Sequence, residues 1–202
     1  MVMRTKSRSK SRISQLGQSI VEIAIATPVL VALLLGAFDT AVLVSDKVIA
    51  GGACRQGARL GAELGGTITN TSVPPMTLAE ADQYIARNVL AVAKAMNYSV
   101  LSDIYIYSPA EADGNMPVNG TGTPVSADRY DWFKVTGVPG AYTLGAVTYG
   151  NGGLTLDNRL QVPPTETPMA VKLRWSYAPP TGLGINIVLT EYSVFLDAPV
   201  IP

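Results

Sequence analysis

The stretch that decides the reading is Gln15–Thr40, QLGQSIVEIAIATPVLVALLLGAFDT, which follows five basic residues, Arg4, Lys6, Arg8, Lys10 and Arg12. From Ile23 to Phe38 no charge interrupts it, Ile20 and Val21 extend it backwards, and Thr40–Val44 continue it beyond Asp39. About 20 apolar residues span a bilayer core as a helix. The interval from about residue 20 to 44 is therefore read as the membrane part, with Glu22 and Asp39 near the two interfaces. Glu22 is the anomaly, because a carboxylate inside such a segment costs ~2–3 kcal/mol on insertion scales. Either something offsets that cost or a partner uses the charge.

Composition narrows the rest. The chain has 202 residues, is 48% apolar and only 15% charged, and its formal net charge is zero. Without the five leading basic residues, ten basic residues face fifteen acidic ones. The body is thus mildly acidic, which argues against a nucleic-acid partner. Basic residues before an apolar run instead keep the N-terminus cytoplasmic, so that the chain beyond the run is exported. The region after the apolar core, Gly36–Ala41, is a poor cleavage site for a secretory signal. A plain signal anchor is the simpler alternative, but it leaves Glu22 unexplained. Pro28, inside the run, is expected to kink or loosen the helix.

Helical spacing continues past the apolar run, with no proline until Pro74. In IAGGACRQGARLGAELGG, Ala53, Gly57, Gly61 and Gly65 recur every fourth position, and Cys54, Ala58, Ala62 and Gly66 form a second row. Each glycine costs a helix ~1 kcal/mol relative to alanine. Glycines in register therefore imply close approach of another backbone, as in small-xxx-small packing. Arg55, Arg59 and Glu63 have the i, i+4 spacing of a helix surface. Cys54, the only cysteine, is read as a small packing residue rather than a nucleophile.

These residues carry a likeness. Gly17, Gln18, Glu22, Pro28 and the stretch Ala53-Cys54-Arg55-Gln56-Gly57-Ala58-Arg59 resemble, in order, the start of TadE-like minor pilins (pseudopilins) of tight-adherence, type IV pilus-like systems. The likeness covers about the first third of the chain. It departs at Ile23 and Leu60, where the family often has aromatic residues. The resemblance implies that a prepilin peptidase cuts after Gly17, so that Gln18 becomes the mature N-terminus and Glu22 its fifth residue. It further implies that Glu22 pairs with the N-terminal amine of a neighbouring subunit as a registry device. The implied partners are other pilin subunits, the peptidase and a pilus assembly platform. The implied location is the bacterial cytoplasmic membrane, crossed once, with the head outside it and later extraction into an extracellular pilus.

The expected organisation is a leader over 1–17, a long helix over 18–66, a linker over 67–76 and an exported head over 77–202. Thr77-Leu78-Ala79-Glu80 reads as a capping box opening a helix to Asn97. Its apolar face, Ala81, Ile85, Val89, Val92 and Met96, is expected to pack on a sheet. Strands are expected around Ile104–Tyr107, over 131–138, 142–149 and 154–160, and at Val171–Tyr177, where Lys172, Arg174 and Ser176 mark a solvent side. The apolar phase shifts between Ile185–Leu189 and Tyr192–Leu196, which a bulge near Glu191, or two short strands, would explain. The class is α+β, with an antiparallel sheet. Glu111, Asp113 and Asn115, in the polar stretch 108–128, are oxygen-bearing candidates for calcium, though a solvated or contact loop is the preferred reading. Without histidine, and without a phosphate loop or cysteine pair, nothing implies an enzyme or a cofactor. A signal-anchored binding domain that meets a surface or host ligand is the rival reading.

Overall fold

The structure is a computed structural model that describes residues 10–68, 77–110, 113–119, 123–155, 168–182 and 184–195, with the surroundings of the first helix described from Gln18 to Leu64. Helix α1 runs unbroken over Lys10–Ile68 and α2 over Leu78–Ala93. The strands are β1 (Ser99–Ser108), β2 (Arg129–Val138), β3 (Ala141–Gly150), β4 (Met169–Tyr177) and β5 (Ile187–Phe195). They form one antiparallel sheet in the order β3-β2-β1-β4-β5. The architecture is α+β, as the periodicities imply.

Among the described residues, α1 is the one helix long and apolar enough to cross a membrane. At 1.5 Å per residue its 59 residues extend ~88 Å. The helix continues through Pro28. Thr27 Oγ1 donates to the Ile23 carbonyl at 2.7 Å, an i−4 bond of the kind that supplements backbone pairing in lipid. Large side chains from Ile20 to Phe38 are exposed, whereas Val42 and Leu43 pack on the head. Residues 20–38 measure ~28 Å, close to a bilayer core. Residues 40–44, expected within the membrane part, lie beside the head.

Helix α2 opens as its capping box dictates. Thr77 Oγ1 accepts from the Glu80 N–H at 3.3 Å, and the Glu80 carboxylate accepts from the Thr77 N–H at 2.8 Å. It ends at Ala93, before Asn97, with Lys94 at its C-cap. Its main neighbour is α1 rather than the sheet alone. Positions Gly57 and Gly61 lie against Val89 and Ile85, so the two helices run antiparallel. On its other flank α1 meets β4: Gly57 lies against Val171 and Gly61 against Met169. Both helices thus cover one face of the sheet.

The repeats match. Four helical residues advance ~6 Å and two strand residues ~6.6 Å, so Gly57 and Gly61 meet Val171 and Met169 in step. The resulting core buries Ala50, Ala53, Cys54 and Ala58 against Ile85, Val89, Leu173 and Trp175.

Three expectations about the sheet also need correction. Strand β5 pairs with β4 in unbroken register from Met169↔Phe195 to Tyr177↔Ile187, so no bulge falls at Glu191. Its two apolar parities serve two faces: Leu189 packs toward α1, and Val194 toward Tyr107 and Met116 on the opposite face. The register shifts lie instead at Leu101/Asp103 and Phe133/Val135. Second, Lys172 is buried rather than solvent-facing. Third, the turn at Asn151–Gly153 leads into Thr155 without a strand, and the remainder of the expected strand 154–160 lies outside the described residues.

A built Cβ at Gly57 falls 2.3 Å from Val89 Cγ2, whereas at Gly52 it meets nothing within 4 Å. Gly57→Ala is therefore expected to lower head stability by ~1–3 kcal/mol through overpacking, and Gly52→Ala to raise it by up to ~1 kcal/mol through helix propensity. Thermal unfolding of the two full-length variants in detergent checks both signs.

Candidate functional site: the long helix and its seam

The site foreseen from sequence divides into two regions that the structure places ~50 Å apart along α1. Gly17 and Gln18 lie within the continuous helix rather than at its start. Gln18 Nε2 donates to Glu22 Oε1 at 3.1 Å, and both side chains stand exposed on the apolar stretch. Glu22 is flanked by Ile23, Ile25 and Val21, all more than half exposed. It is thus a carboxylate presented on an exposed apolar helix, with an amide one turn away as its hydrogen-bond donor. Pro28 sits on the same exposed stretch, six residues on.

The second region is the small-residue seam. Ala53, Cys54, Gly57, Ala58, Gly61 and Ala62 are all buried. Arg55, Gln56 and Arg59, interleaved with them, are exposed. Pairs of small residues at 53–54, 57–58 and 61–62 recur near the helical period, each followed by an exposed polar residue, Arg55, Arg59 and Glu63, which turns one side of α1 inward and the other out. The seam does admit close neighbours, but these are side chains of α2 and β4 in the same chain rather than a second backbone. Gly65 lies in α1 beyond the residues whose surroundings are described. Arg59 Nε pairs with Glu63 Oε1 at 2.7 Å, an exposed i, i+4 bridge worth a few tenths of a kcal/mol.

Cys54 Sγ donates to the Glu191 carbonyl at 3.3 Å, and burial pushes its thiol up from 9.0 to about 12. A thiol so protonated is a packing group, not a nucleophile.

Polar side chains that sequence reasoning missed tie the head to α1. The Tyr177 hydroxyl donates to the Asp39 carbonyl at 2.8 Å, and the Asp39 carboxylate accepts from the Thr181 N–H and hydroxyl. Two turns further, buried Asp46 accepts from Ser99 Oγ at 2.6 Å, while exposed Lys47 reaches Glu191 at 3.7 Å. The Tyr142 hydroxyl donates to the Ser99 carbonyl at 2.6 Å and extends this network to β3. The available signal was the placement of Asp39 and Asp46 inside apolar helical sequence.

The calcium candidates do not converge on an ion. Asp113 Oδ1 accepts from the Asn115 N–H at 2.9 Å in a local turn. Asn115 Oδ1 accepts from Lys172 Nζ at 3.2 Å, and the Met116 carbonyl accepts from the same ammonium. Glu111 lies outside the described residues, and among those described no cluster of three His, Cys, Asp or Glu side chains is placed to hold a metal. The Asn115 and Met116 oxygens serve the chain's own cation. Burial lowers the Lys172 pKa, and the Asp128 carboxylate opposes that shift. Met116 is fully buried against Tyr105, Tyr107 and Ala170, so this part of the 108–128 stretch is a folded cover over the sheet rather than a solvated loop.

Comparison with known families bears on the N-terminal region. Residues 17–59 match the family model of TadE-like proteins. The matched TadE-like segment starts at Gly17, contains Glu22 and the exposed span, and ends at Arg59 within the seam. The match is consistent with a TadE-like pilin of tight-adherence systems, and the single apolar N-terminal helix with a single-pass membrane protein. No curated protein and no solved structure matches the chain.

The buried tyrosines and Cys54 share one sign. Burial raises the pKa of Tyr105, Tyr107 and Tyr142, as it does that of Cys54. Each keeps its proton in the folded chain at a pH where the unfolded chain has released it. The corresponding stability is whole below pH 9 and is lost as pH rises through 10 toward 12. Lys172, with its depressed pKa, adds stability with rising pH, but that gain is complete by 10.5. The head is therefore expected to unfold cooperatively in alkali, releasing tyrosinate and exposing Cys54 in one transition. Ultraviolet absorbance and thiol titration across pH 9–12 in detergent check it; gradual ionisation of the tyrosines without unfolding would contradict it.

Proposed function

We propose that this protein is a minor pilin or pseudopilin of a tight-adherence pilus. A prepilin peptidase cuts it after Gly17, and it then assembles through α1 into, or at the tip or base of, the filament. The observation that carries this reading is the position of Glu22: it is the first acid of the TadE-like segment, stands on an exposed apolar helix, and comes five residues after Gly17. Cleavage after Gly17 would create an α-amine on Gln18, one helical turn from the Glu22 carboxylate of its own chain. In lipid, a carboxylate and an ammonium are costly apart and tolerable together. A neighbouring subunit that brings its new amine to Glu22 offsets both costs and fixes the stagger between helices. The basic residues before Gly17 orient the uncut chain with its head outside the cytoplasmic membrane. Head-to-tail contacts of this kind are heterologous and propagate as a helix rather than closing.

Intact mass of the protein from its native host tests the first step. A mature chain starting at Gln18, replaced by the full-length chain in Gly17→Ala, is the expected result. An uncut wild-type chain would favour a signal-anchored binding domain instead. Glu22→Ala is expected to leave cleavage and head folding intact. It should reduce incorporation into sheared filament fractions roughly thirty-fold, the equivalent of about 2 kcal/mol. Undiminished incorporation would remove the registry role.

A further inference from the structure

We propose that the turn joining β4 to β5, through its described residues 178–182 and 184–186, is a second membrane contact that seats the head on the outer leaflet. The inference rests on the reading of residues 20–38 as a bilayer span. Beside that span lies a groove whose walls belong to two different parts of the chain. One wall is α1, through Ala32, Gly36, Asp39 and Leu43; the other is the head, through Tyr177, Pro179, Gly184, Ile185 and Ile187. Ala32 lies seven residues, ~10 Å, before Asp39 on the helix. The head's turn therefore descends beside α1 past the level where the exposed apolar stretch begins, into the depth range of the span's outer end.

The chemistry of the turn suits that depth. Residues 178–190 contain no charged side chain. Ile185 is 83% exposed, the most exposed large apolar side chain of the described residues, and Val188 and Ile187 beside it are exposed too. In water this is an unfavourable display; at a bilayer boundary it is the apolar face of an interfacial segment, which buries ~5–10 Å into the headgroup and acyl boundary.

The turn is also held in place. Asp39, at the top of the exposed span, accepts both the N–H and the hydroxyl of Thr181, and the Gly182 N–H donates to the Pro179 carbonyl at 3.1 Å. Gly184 packs so closely on Pro179 that a Cβ would fall 2.5 Å from Pro179 Cγ. The Asp39 carboxylate is thereby capped by hydrogen bonds at the boundary where a bare charge would be costly. A single helix fixes neither tilt nor rotation of the head; two contacts on one rigid body fix both. The occupant of the exposed side of this turn is thus the lipid bilayer.

The test uses the full chain in phosphatidylcholine vesicles, labelled with an environment-sensitive fluorophore at Ile185→Cys, at Leu33→Cys in the span and at Val125→Cys in the head. The native Cys54, buried and protonated, stays unlabelled. The expected result is blue-shifted emission at 185, shielded from aqueous iodide and quenched by lipid-borne nitroxide, as at 33, while 125 remains open to iodide. If 185 behaves like 125 while 33 is shielded, the membrane contact is overturned and the span stands. If 33 is also open to iodide, the span itself is wrong and the proposal falls with it.

Discussion

The head holds to the long helix because two glycines let side chains come close, to where a Cβ would not fit at Gly57 and would crowd its neighbour at Gly61. At Gly57 the nearest atom to a would-be Cβ is Val89 Cγ2 at 2.3 Å, and at Gly61 it is Met169 Cε at 3.3 Å. That proximity draws α2 and β4 onto the same side of α1 at once. The match between a four-residue helical step and a two-residue strand step then repeats the contact down the helix without loss of register. A glycine-rich helix is weak by propensity; here the tertiary packing that the glycines permit is what maintains it, in keeping with the general dominance of packing over propensity in helices.

Packing of small residues is smooth and would by itself tolerate sliding. The polar contacts remove that freedom. Asp39 to Thr181, Asp46 to Ser99 and Lys47 to Glu191 fasten the turn after β4, the start of β1 and the middle of β5 to α1 at two levels, two turns apart. Asp46 is buried, so leaving it unpaired would cost more than its hydrogen bond gains. On the far face, Asp103 does the same across strands. It lies between Lys134 and Arg174 and accepts from Trp132 Nε1 at 2.9 Å, while Tyr105 stacks on Trp132.

The elements whose cause is local were legible in the sequence. The Thr77–Glu80 capping box needs only four residues, and the small-residue rows need only helical spacing. The alternation Val171, Leu173, Trp175, Tyr177 likewise names its own inward face. What could not be read depends on partners remote in sequence. Lys172 sits in the outward phase of β4 and looks solvated until the stretch around Met116 folds over it and supplies two acceptors from more than fifty residues away. The change of phase in β5 resembles a bulge because one strand cannot reveal that both of its faces are covered. The seam was recognised as a packing surface, but its partner was not, since periodicity gives the spacing of a surface and not the identity of what meets it.

That distinction bears on how the TadE-like segment is understood. Its first half, from Gln18 to Phe38, stays exposed in the isolated chain. Its second half ends in Ala53–Arg59, whose small residues are consumed by the chain's own head, leaving Arg55, Gln56 and Arg59 outward. A helix cannot offer the same close-packing face twice. What stays open for a further partner is the exposed apolar span, with its single carboxylate at Glu22, and the polar flank of α1 beside the head. One continuous pattern thus carries two separate constraints: an intramolecular one that builds the subunit, and an outward one left open to neighbours. They meet near Asp39, where the head first touches the helix.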